Sequence, residues 1–314
     1  MSSFSTLRSA LLKGGMLLFL CLLLLFPGAA VTGAKNGLFL WFEQVLPSLL
    51  PFLILSSLFL STGLSNLLAK ALSPVLSPLL RCSSFGCYAA VLGMLSGLPV
   101  GAKTVAELVR SGKITKKEGS FLLPLCNTMS PLFILGYISV SVLALPKLRY
   151  LLLFIILFSG ILASMLLRKK SYEPLPDAPS GAVAFRFSFL LLDNAIEQAF
   201  HVITKVGGYM ILFSVLAKIL SLLPLSHFYL AVFTGILEVT TGSAALAALP
   251  LPNTVLLPLL AAFVTFGGLS TAAQTKSVLT GTGLPFAHYL LTKALAACIA
   301  ALLTLFFLVV VHVI

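Results

Sequence analysis

The chain alternates between long apolar stretches and short polar segments. A helix needs about 20 apolar residues to cross a bilayer, so this pattern predicts an all-α polytopic membrane protein. Residues 64–81, where Asn66, Lys70 and prolines interrupt the leucines, are instead typical of a helix at the membrane surface. The predicted spanning or re-entrant segments are 14–33, 37–62, 84–102, 120–145, 150–167, 193–223, 228–249, 253–280 and 285–312.

Two neighbouring apolar segments contain helix breakers together with uncharged polar groups. The first is broken at Gly97, Pro99 and Gly101, and the second is broken between Asn127 and Pro131. In hydrocarbon, a broken backbone is tolerated only where it is packed in protein or lines a cavity. Two such interruptions on either side of one loop therefore predict a small polar site inside a membrane protein.

The second half of the chain repeats this arrangement. Residues 235–242 resemble the first interruption, and residues 267–271 resemble the second. An acidic residue followed by glutamine also lies near the start of a predicted span in each half, at Glu43 and at Glu197. Three matches in the same order indicate a duplicated unit.

The composition excludes a soluble protein. Of the 314 residues, 59% are hydrophobic and only 9% are charged, whereas about 25% are charged in a soluble domain. The longest polar stretch, residues 168–186, leaves no room for a soluble catalytic domain, so we expect no enzymatic activity and no cofactor. The five cysteines lack a CxxC spacing and the four histidines share no spacing, so we expect no metal site.

The net charge of +12 comes from basic residues that cluster in a few short loops. They are not interleaved with aromatic residues, so we expect the partner to be the lipid bilayer and not a nucleic acid. Basic loops stay in the cytoplasm, which predicts a cytoplasmic N-terminus. The same rule keeps the basic loop 103–119 inside, and residues 84–102 must then form a re-entrant hairpin. The second unit consequently enters the membrane in the opposite orientation.

This topology predicts an inverted repeat with re-entrant hairpins and broken transmembrane helices. Many secondary transporters have this architecture, with the substrate site near the middle of the bilayer at the repeat interface. The predicted parts are an N-terminal transmembrane helix at 1–35, a first unit at 36–168, a cytoplasmic linker at 169–187, and a second unit with a terminal helix at 188–314.

Four motifs resemble those of the YlbJ-type sporulation integral membrane proteins. The resemblance covers roughly residues 36–300. It implies that both units are Gate-type units of the nucleoside-recognition group, which includes concentrative nucleoside transporters, spore maturation proteins and the membrane part of ferrous-iron transporters. It also implies a role in spore formation in a Gram-positive spore former. The motifs are SGLPVGAK at 96–103, NTMSPLF at 127–133, LEVTTG at 237–242 and FGGLS at 266–270.

Glu238 is the leading candidate for a functional residue, because an ionisable group inside an apolar segment is costly and marks function. The resemblance implies that it stands where concentrative nucleoside transporters carry a substrate-holding acidic residue at a hairpin tip. The first hairpin has Ser96 at the corresponding position. Two structural roles for Glu238 are also open: pairing with a buried lysine, or capping a broken helix.

Hydroxyl and amide groups at the other interruptions can bind a solute, or can satisfy the backbone groups that a break leaves free. We expect Asn127, Ser130, Glu238, Thr241 and Ser270 to converge on one polar cavity. The full set of candidate substrate-binding residues is Ser96, Pro99, Gly101, Asn127, Thr128, Ser130, Glu238, Thr240, Thr241, Ser270 and Gln274.

Two classes of function remain open at this point. The first is a secondary transporter or permease for a small polar solute, nucleoside-like or other, coupled to H⁺ or Na⁺. Glu43 and Glu197 are the candidates for ion coupling, or are interfacial charges that face lipid headgroups. The second class is a non-transporting membrane scaffold or morphogenetic factor for sporulation. Either protein could act as a homo-oligomer.

Overall fold

In a computed structural model, residues 2–168 and 188–310 are described, and this part of the chain contains helices and no strand. The predicted all-α fold class is therefore confirmed. By length and composition, four helices can cross a membrane, or up to six if each of two bent pairs counts as one span. The predicted linker at 169–187 lies outside the described residues.

The N-terminal region forms two helices instead of the continuous helix predicted at 14–33. Helix α1 (Ser2–Leu25) ends before Pro27, where α2 (Pro27–Leu40) begins, and the axis bends by 103° between them. Proline lacks the N–H that would bond to the preceding turn, so it starts a helix readily but does not continue one. Phe26 accordingly leaves helical geometry, with φ −124° and ψ 56°.

Helix α2 continues through a π-helical stretch, Trp41–Val45, into α3 (Leu46–Ser61). The next helix, α4 (Leu64–Leu80), turns away from α3 by 96°. That angle fits a segment that does not extend the span, as its mixture of polar residues and leucines indicates.

Two helical hairpins follow the same plan in the two halves. The first consists of α5 (Ser84–Ser96) and α6 (Val100–Arg110), with a tip at residues 97–99. Helix α5 begins at its N-cap Ser83, whose backbone N–H and hydroxyl both donate to Glu118, at 2.7 and 2.8 Å. The buried Glu118 carboxylate therefore fixes the base of the first hairpin.

Gly101, predicted as part of the first interruption, lies inside α6. A Cβ there would stand 2.0 Å from the Cys126 carbonyl oxygen. The same carbonyl oxygen also lies against α5, because a Cβ at Gly93 would stand 2.6 Å from it. These glycines therefore allow both arms of the first hairpin to close on the end of one helix.

The second hairpin consists of α10 (His227–Leu237) and α11 (Val239–Ala247), and its tip is Glu238. The sequence pattern predicted an interruption at residues 235–242 with breaks at Gly235 and Gly242; the turn lies inside this range, at Glu238, and the breaks at the two glycines are wrong. Both glycines are helical, and a Cβ at Gly242 would lie 2.1 Å from the Gly235 Cα. They are small because the two arms cross there, and extended backbone at Glu238 makes the turn.

Each hairpin is followed by a helix that breaks partway along. In the first half, α7 (Lys116–Cys126) leads through the first helix break at residues 127–130 to a π-helical segment, Phe133–Val142. In the second half, α12 (Asn253–Phe266) and α13 (Gly268–Val278) meet at Gly267. Gly267 and Gly268 have φ of +88° and +80°, which only glycine adopts readily, so this pair forms the second helix break.

Long helices support the broken ones. They are α8 (Arg149–Leu166), α9 (Phe189–Leu220) and α14 (Phe286–Val310). Helix α9 packs closely on α2, since a Cβ at Gly33 would stand 2.7 Å from the Val215 Cα. One apolar cluster contains residues of α4, α5, α6 and α7 together with the start of α14. Another contains residues of the second hairpin, α12, α8 and the π-helical segment. Leu98 at the first tip and Val239 beside the second tip both belong to the second cluster.

Candidate functional site

Each hairpin tip lies against the helix break that follows it in the sequence. The Leu98 N–H donates to the Thr128 carbonyl at 2.8 Å, and a Cβ at Gly97 would stand 2.5 Å from the Ser130 nitrogen. In the second half, a Cβ at Gly268 would lie 3.3 Å from both the Leu237 oxygen and the Val239 nitrogen. Each tip thus packs closely against its own break, and in the first half a backbone hydrogen bond joins the two.

A cavity of about 60 Å³ lies where these parts meet. The contributions of α9 and of residues 45–49 are apolar, and the polar groups come from the second hairpin and the two broken helices. Both hairpin tips and both broken helices contribute to the lining. The lining residues are Val45, Leu49, Leu98, Met129, Ser130, Phe133, Val206, Met210, Glu238, Val239, Thr240, Thr271 and Gln274.

Glu238 is the most polar group of this cavity and is only 2% exposed. Its Oε1 accepts hydrogen bonds from the backbone N–H and the hydroxyl of Thr240, and its Oε2 accepts one from the Thr241 N–H at 2.7 Å. Glu238 is therefore the N-cap of α11, which is one of the two structural roles that the sequence left open. The position of a carboxylate at a helix N-terminus is favourable, because the helix dipole is positive there.

Capping does not use the whole carboxylate. Two carboxylate oxygens offer about four acceptor sites, and three donors occupy them here. Within the described residues, Glu238 forms no ion pair. One acceptor site and the negative charge thus remain for a donor group or a cation in the cavity.

Of the candidate binding residues, the structure brings Ser130, Glu238, Thr240 and Gln274 to the cavity. Thr271, next to the predicted Ser270, also lines it. Ser270 is fully buried and accepts a bond from the Gln274 amide at 3.3 Å, so it holds Gln274 in place. The candidates that do not line the cavity are Ser96, Pro99, Gly101, Asn127, Thr128, Thr241 and Ser270.

A second cavity adjoins the first, because Gln274 and Val206 line both. Its walls carry charged groups at the cytoplasmic end predicted from the sequence, and Pro99 faces it. Lys103 in this wall donates to the Ser57 hydroxyl at 2.9 Å and lies 3.8 Å from the Glu107 carboxylate. The second cavity therefore places charged side chains next to the polar site.

The two candidates for ion coupling lie elsewhere. Glu43 is exposed within the π-helical stretch, and Glu197 is exposed on α9. Glu197 lines a wide surface cavity together with His201 and Lys205, among others. Neither glutamate is among the residues that surround Glu238.

Sequence reasoning missed a buried polar cluster behind the first helix break. The Asn127 amide donates to the Thr275 hydroxyl at 2.7 Å and to the Tyr289 hydroxyl at 2.9 Å. Lys293, only 3% exposed, donates to the Asn127 carbonyl at 3.3 Å. Lys293 interrupts the apolar sequence of α14, so the rule that singles out Glu238 could have found it.

The fold and the cavity define a multi-pass helical membrane protein with a small buried polar site. Comparison with known proteins makes this more specific. The chain is 26% identical to the sporulation integral membrane protein YlbJ of Bacillus subtilis (strain 168), over 95% of this chain and 82% of that protein. The resemblance to the YlbJ-type proteins is thereby confirmed. No family model matches the chain, and no solved structure matches it.

Proposed function

We propose that this protein is a secondary transporter or permease for a small polar solute, and that the solute binds at Glu238. The single observation that carries the proposal is the Glu238 carboxylate, which is buried at a hairpin tip, lines a cavity and has one acceptor site beyond the three that the start of α11 occupies. A buried charge is costly and is retained in membrane proteins mostly where it binds something. Ser130, Thr240, Thr271 and Gln274 supply the neutral hydrogen-bonding groups around it.

The inverted repeat of Gate-type units is part of this proposal. Its support is the matching order of hairpin, broken helix and long helix in the two halves, and the close packing of each hairpin tip against the break that follows it. In transporters of this architecture, one unit or bundle rocks against the other around a fixed site. Here each hairpin tip would move away from the site in turn, so that the site opens first to one side of the membrane and then to the other. The proposal also places the N-terminus in the cytoplasm.

The size of the cavity constrains the solute. Pockets that enclose a drug-sized ligand measure about 300–1,000 Å³, and this cavity measures about 60 Å³. In this conformation, the cavity has room for a few waters, an ion or a very small solute. A nucleoside-sized solute would require the hairpins to move apart before it could bind.

The same observation favours a second candidate function, a membrane scaffold that does not transport. In that case Glu238 would only cap α11 and the cavity would remain closed. A role in spore formation is compatible with both functions, and its support is the similarity to a protein named for sporulation.

A ligand screen on the purified protein tests the proposal. Trp41 is the single tryptophan, its indole donates to the Ile203 carbonyl at 2.9 Å, and its ring packs against Gly207. The adjoining residues Val45 and Val206 line the cavity, so solute binding should change the tryptophan fluorescence. Nucleosides, amino acids, organic acids and inorganic ions would be screened by fluorescence and by thermal unfolding.

A solute that shifts both signals saturably supports the transporter, and counterflow in proteoliposomes would then establish transport. The matched control is a variant in which Glu238 is replaced by Gln. If no solute shifts either signal in the unmodified protein, or if the shifts persist unchanged in Glu238→Gln, the scaffold function is favoured.

A further inference from the structure

The first helix break holds a buried lysine that has no acidic partner. Lys293 lies in α14, and its Nζ donates to the Asn127 carbonyl at 3.3 Å. Within residues 2–168 and 188–310, no carboxylate is within ion-pair distance of Lys293. A buried lysine in a membrane-spanning helix is rare and usually functional, so its position requires a physical reason.

The reason lies in the acceptors that surround its end. Helix α7 ends at Cys126 with Asn127 as its C-cap, and the last carbonyls of a helix lack donors within the helix. These carbonyls carry the negative end of the helix dipole, which favours a cation. The Asn127 side-chain oxygen is also buried and has no hydrogen-bond partner. The first break is therefore a buried cluster of acceptors.

At the second helix break, the carbonyls that lack donors within the helix are satisfied by a neutral hydroxyl. There, the Thr271 hydroxyl donates to the Gly267 carbonyl at 2.9 Å and is 3.1 Å from the Gly268 carbonyl. The donor thus belongs to the same broken helix. At the first break the corresponding donor is the amine of Lys293, which comes from a different helix, so the two units differ at this point.

We propose that the first helix break is a cation site, and that the Lys293 ammonium occupies it as a tethered ion. Unwound carbonyls and half-helix C-termini are the groups that bind Na⁺ or H⁺ in transporters with broken helices. Lys293 donates to one of these acceptors, and its ammonium would take the place of a free monovalent cation, so we expect no such cation to bind at this position in the unmodified protein. This proposal concerns the first break alone and does not depend on solute binding at Glu238.

The test is chemical rescue of a variant that lacks the tethered ion. Lys293→Ala deletes a fragment that n-propylammonium replaces almost atom for atom, and small cations such as Na⁺ and methylammonium would also fit. We expect the thermal unfolding midpoint of Lys293→Ala to fall by about 2–4 °C. Added propylammonium, methylammonium or Na⁺ should restore it saturably, whereas tetramethylammonium at equal ionic strength should not.

Two variants separate charge from packing. Lys293→Met keeps the length without the charge, so it should be destabilised and should not respond to any cation. Lys205→Ala removes an exposed lysine from another spanning helix, and its midpoint should stay near that of the unmodified protein in every salt.

If Lys293→Met is as stable as the unmodified protein, or if Lys293→Ala ignores all cations, Lys293 only fills space and the proposal is wrong. If Lys293→Ala does not accumulate, propylammonium supplied during expression and purification makes the same distinction. Amine-dependent recovery of folded protein supports the tethered ion, and loss that is independent of the amine contradicts it.

Discussion

The Glu238 carboxylate combines two roles that a neutral side chain cannot combine. It accepts three hydrogen bonds from the start of α11, and it faces the cavity. In Glu238→Gln, one accepting oxygen becomes an NH₂ group that faces backbone N–H donors. We expect a loss of about 1–3 kcal/mol in unfolding free energy and complete loss of solute binding, measured by thermal unfolding and Trp41 fluorescence.

The control for this prediction is Glu197→Gln, because Glu197 is exposed and does not line the cavity. It should leave both signals unchanged. Full recovery of heat-resistant spores by Glu238→Gln, in a strain that depends on the protein, would argue against any solute-binding role of the carboxylate.

Two adjacent threonines give a sharper comparison at the same tip. The Thr240 hydroxyl donates to Glu238, whereas the Thr241 hydroxyl is buried without a hydrogen-bond partner. Thr240→Val should therefore cost about 1.5–3 kcal/mol, the value of a hydrogen bond to a charged group, and should weaken solute binding. Thr241→Val should be close to neutral in stability. Equal effects of the two substitutions would show that the Thr240 hydroxyl does not support Glu238.

At the scale of the helices, the crossing of α10 and α11 depends on two glycines. A Cβ at Gly242 would lie 2.1 Å from the Gly235 Cα, so the arms of the second hairpin must separate in Gly242→Ala. Overpacking of this kind costs about 1–3 kcal/mol or more. We expect a lower unfolding midpoint and less protein in the membrane.

Gly160→Ala is the matched control for Gly242→Ala. Gly160 is also helical, and nothing lies within 4 Å of its Cβ position. Alanine favours a helix over glycine by up to about 1 kcal/mol, so this variant should be neutral or slightly more stable. If Gly242→Ala behaves like Gly160→Ala, the close crossing does not exist.

The helices show how far the sequence was informative. The order of hairpins and broken helices was predictable, because breakers and polar groups in apolar sequence are tolerated only where they are packed in protein or line a cavity, whereas the bend at Pro27 that divides the predicted N-terminal span was not. The exact turn of the second hairpin was not, because glycine serves equally for a break and for a close crossing. Gly235 and Gly242 turned out to be crossing residues, whereas Gly267 is a break.

The site was predictable only in part for a related reason. The side chains at an interruption divide between the cavity and the backbone, and only the packing decides which. Ser130 and Gln274 line the cavity, whereas the Asn127 amide donates hydrogen bonds to the Thr275 and Tyr289 hydroxyls. Contacts over such a separation in the chain leave no local pattern in a single sequence.

For the whole molecule, the orientation in the membrane follows from the distribution of basic residues and is testable. Single cysteines at Arg110 and at Ser180 should be labelled from the cytoplasmic side, and a cysteine at Asn253 should be labelled from outside. Ser180 lies in the segment outside the described residues. Membrane-impermeant maleimide on intact cells and on inverted vesicles measures both sides.

Native thiols would also react with maleimide, and Cys21 and Cys298 are exposed. Both would be replaced by serine first. Labelling of Arg110→Cys only from outside would mean that the first hairpin crosses the membrane completely, and the two units would then not be inverted.

The bond between Lys293 and Asn127 also has a consequence for biosynthesis. The two residues are 166 positions apart, so most of the protein is synthesised and enters the bilayer before the acceptors at the first break receive their donor. During this interval, Asn127 and the end of α7 stand exposed to lipid, to water or to a membrane chaperone. The first half alone therefore lacks the donor that the Asn127 carbonyl has in the whole chain. A ribosome that stalls before α14 would release a chain whose interior remains open, which is the kind of product that membrane proteases remove.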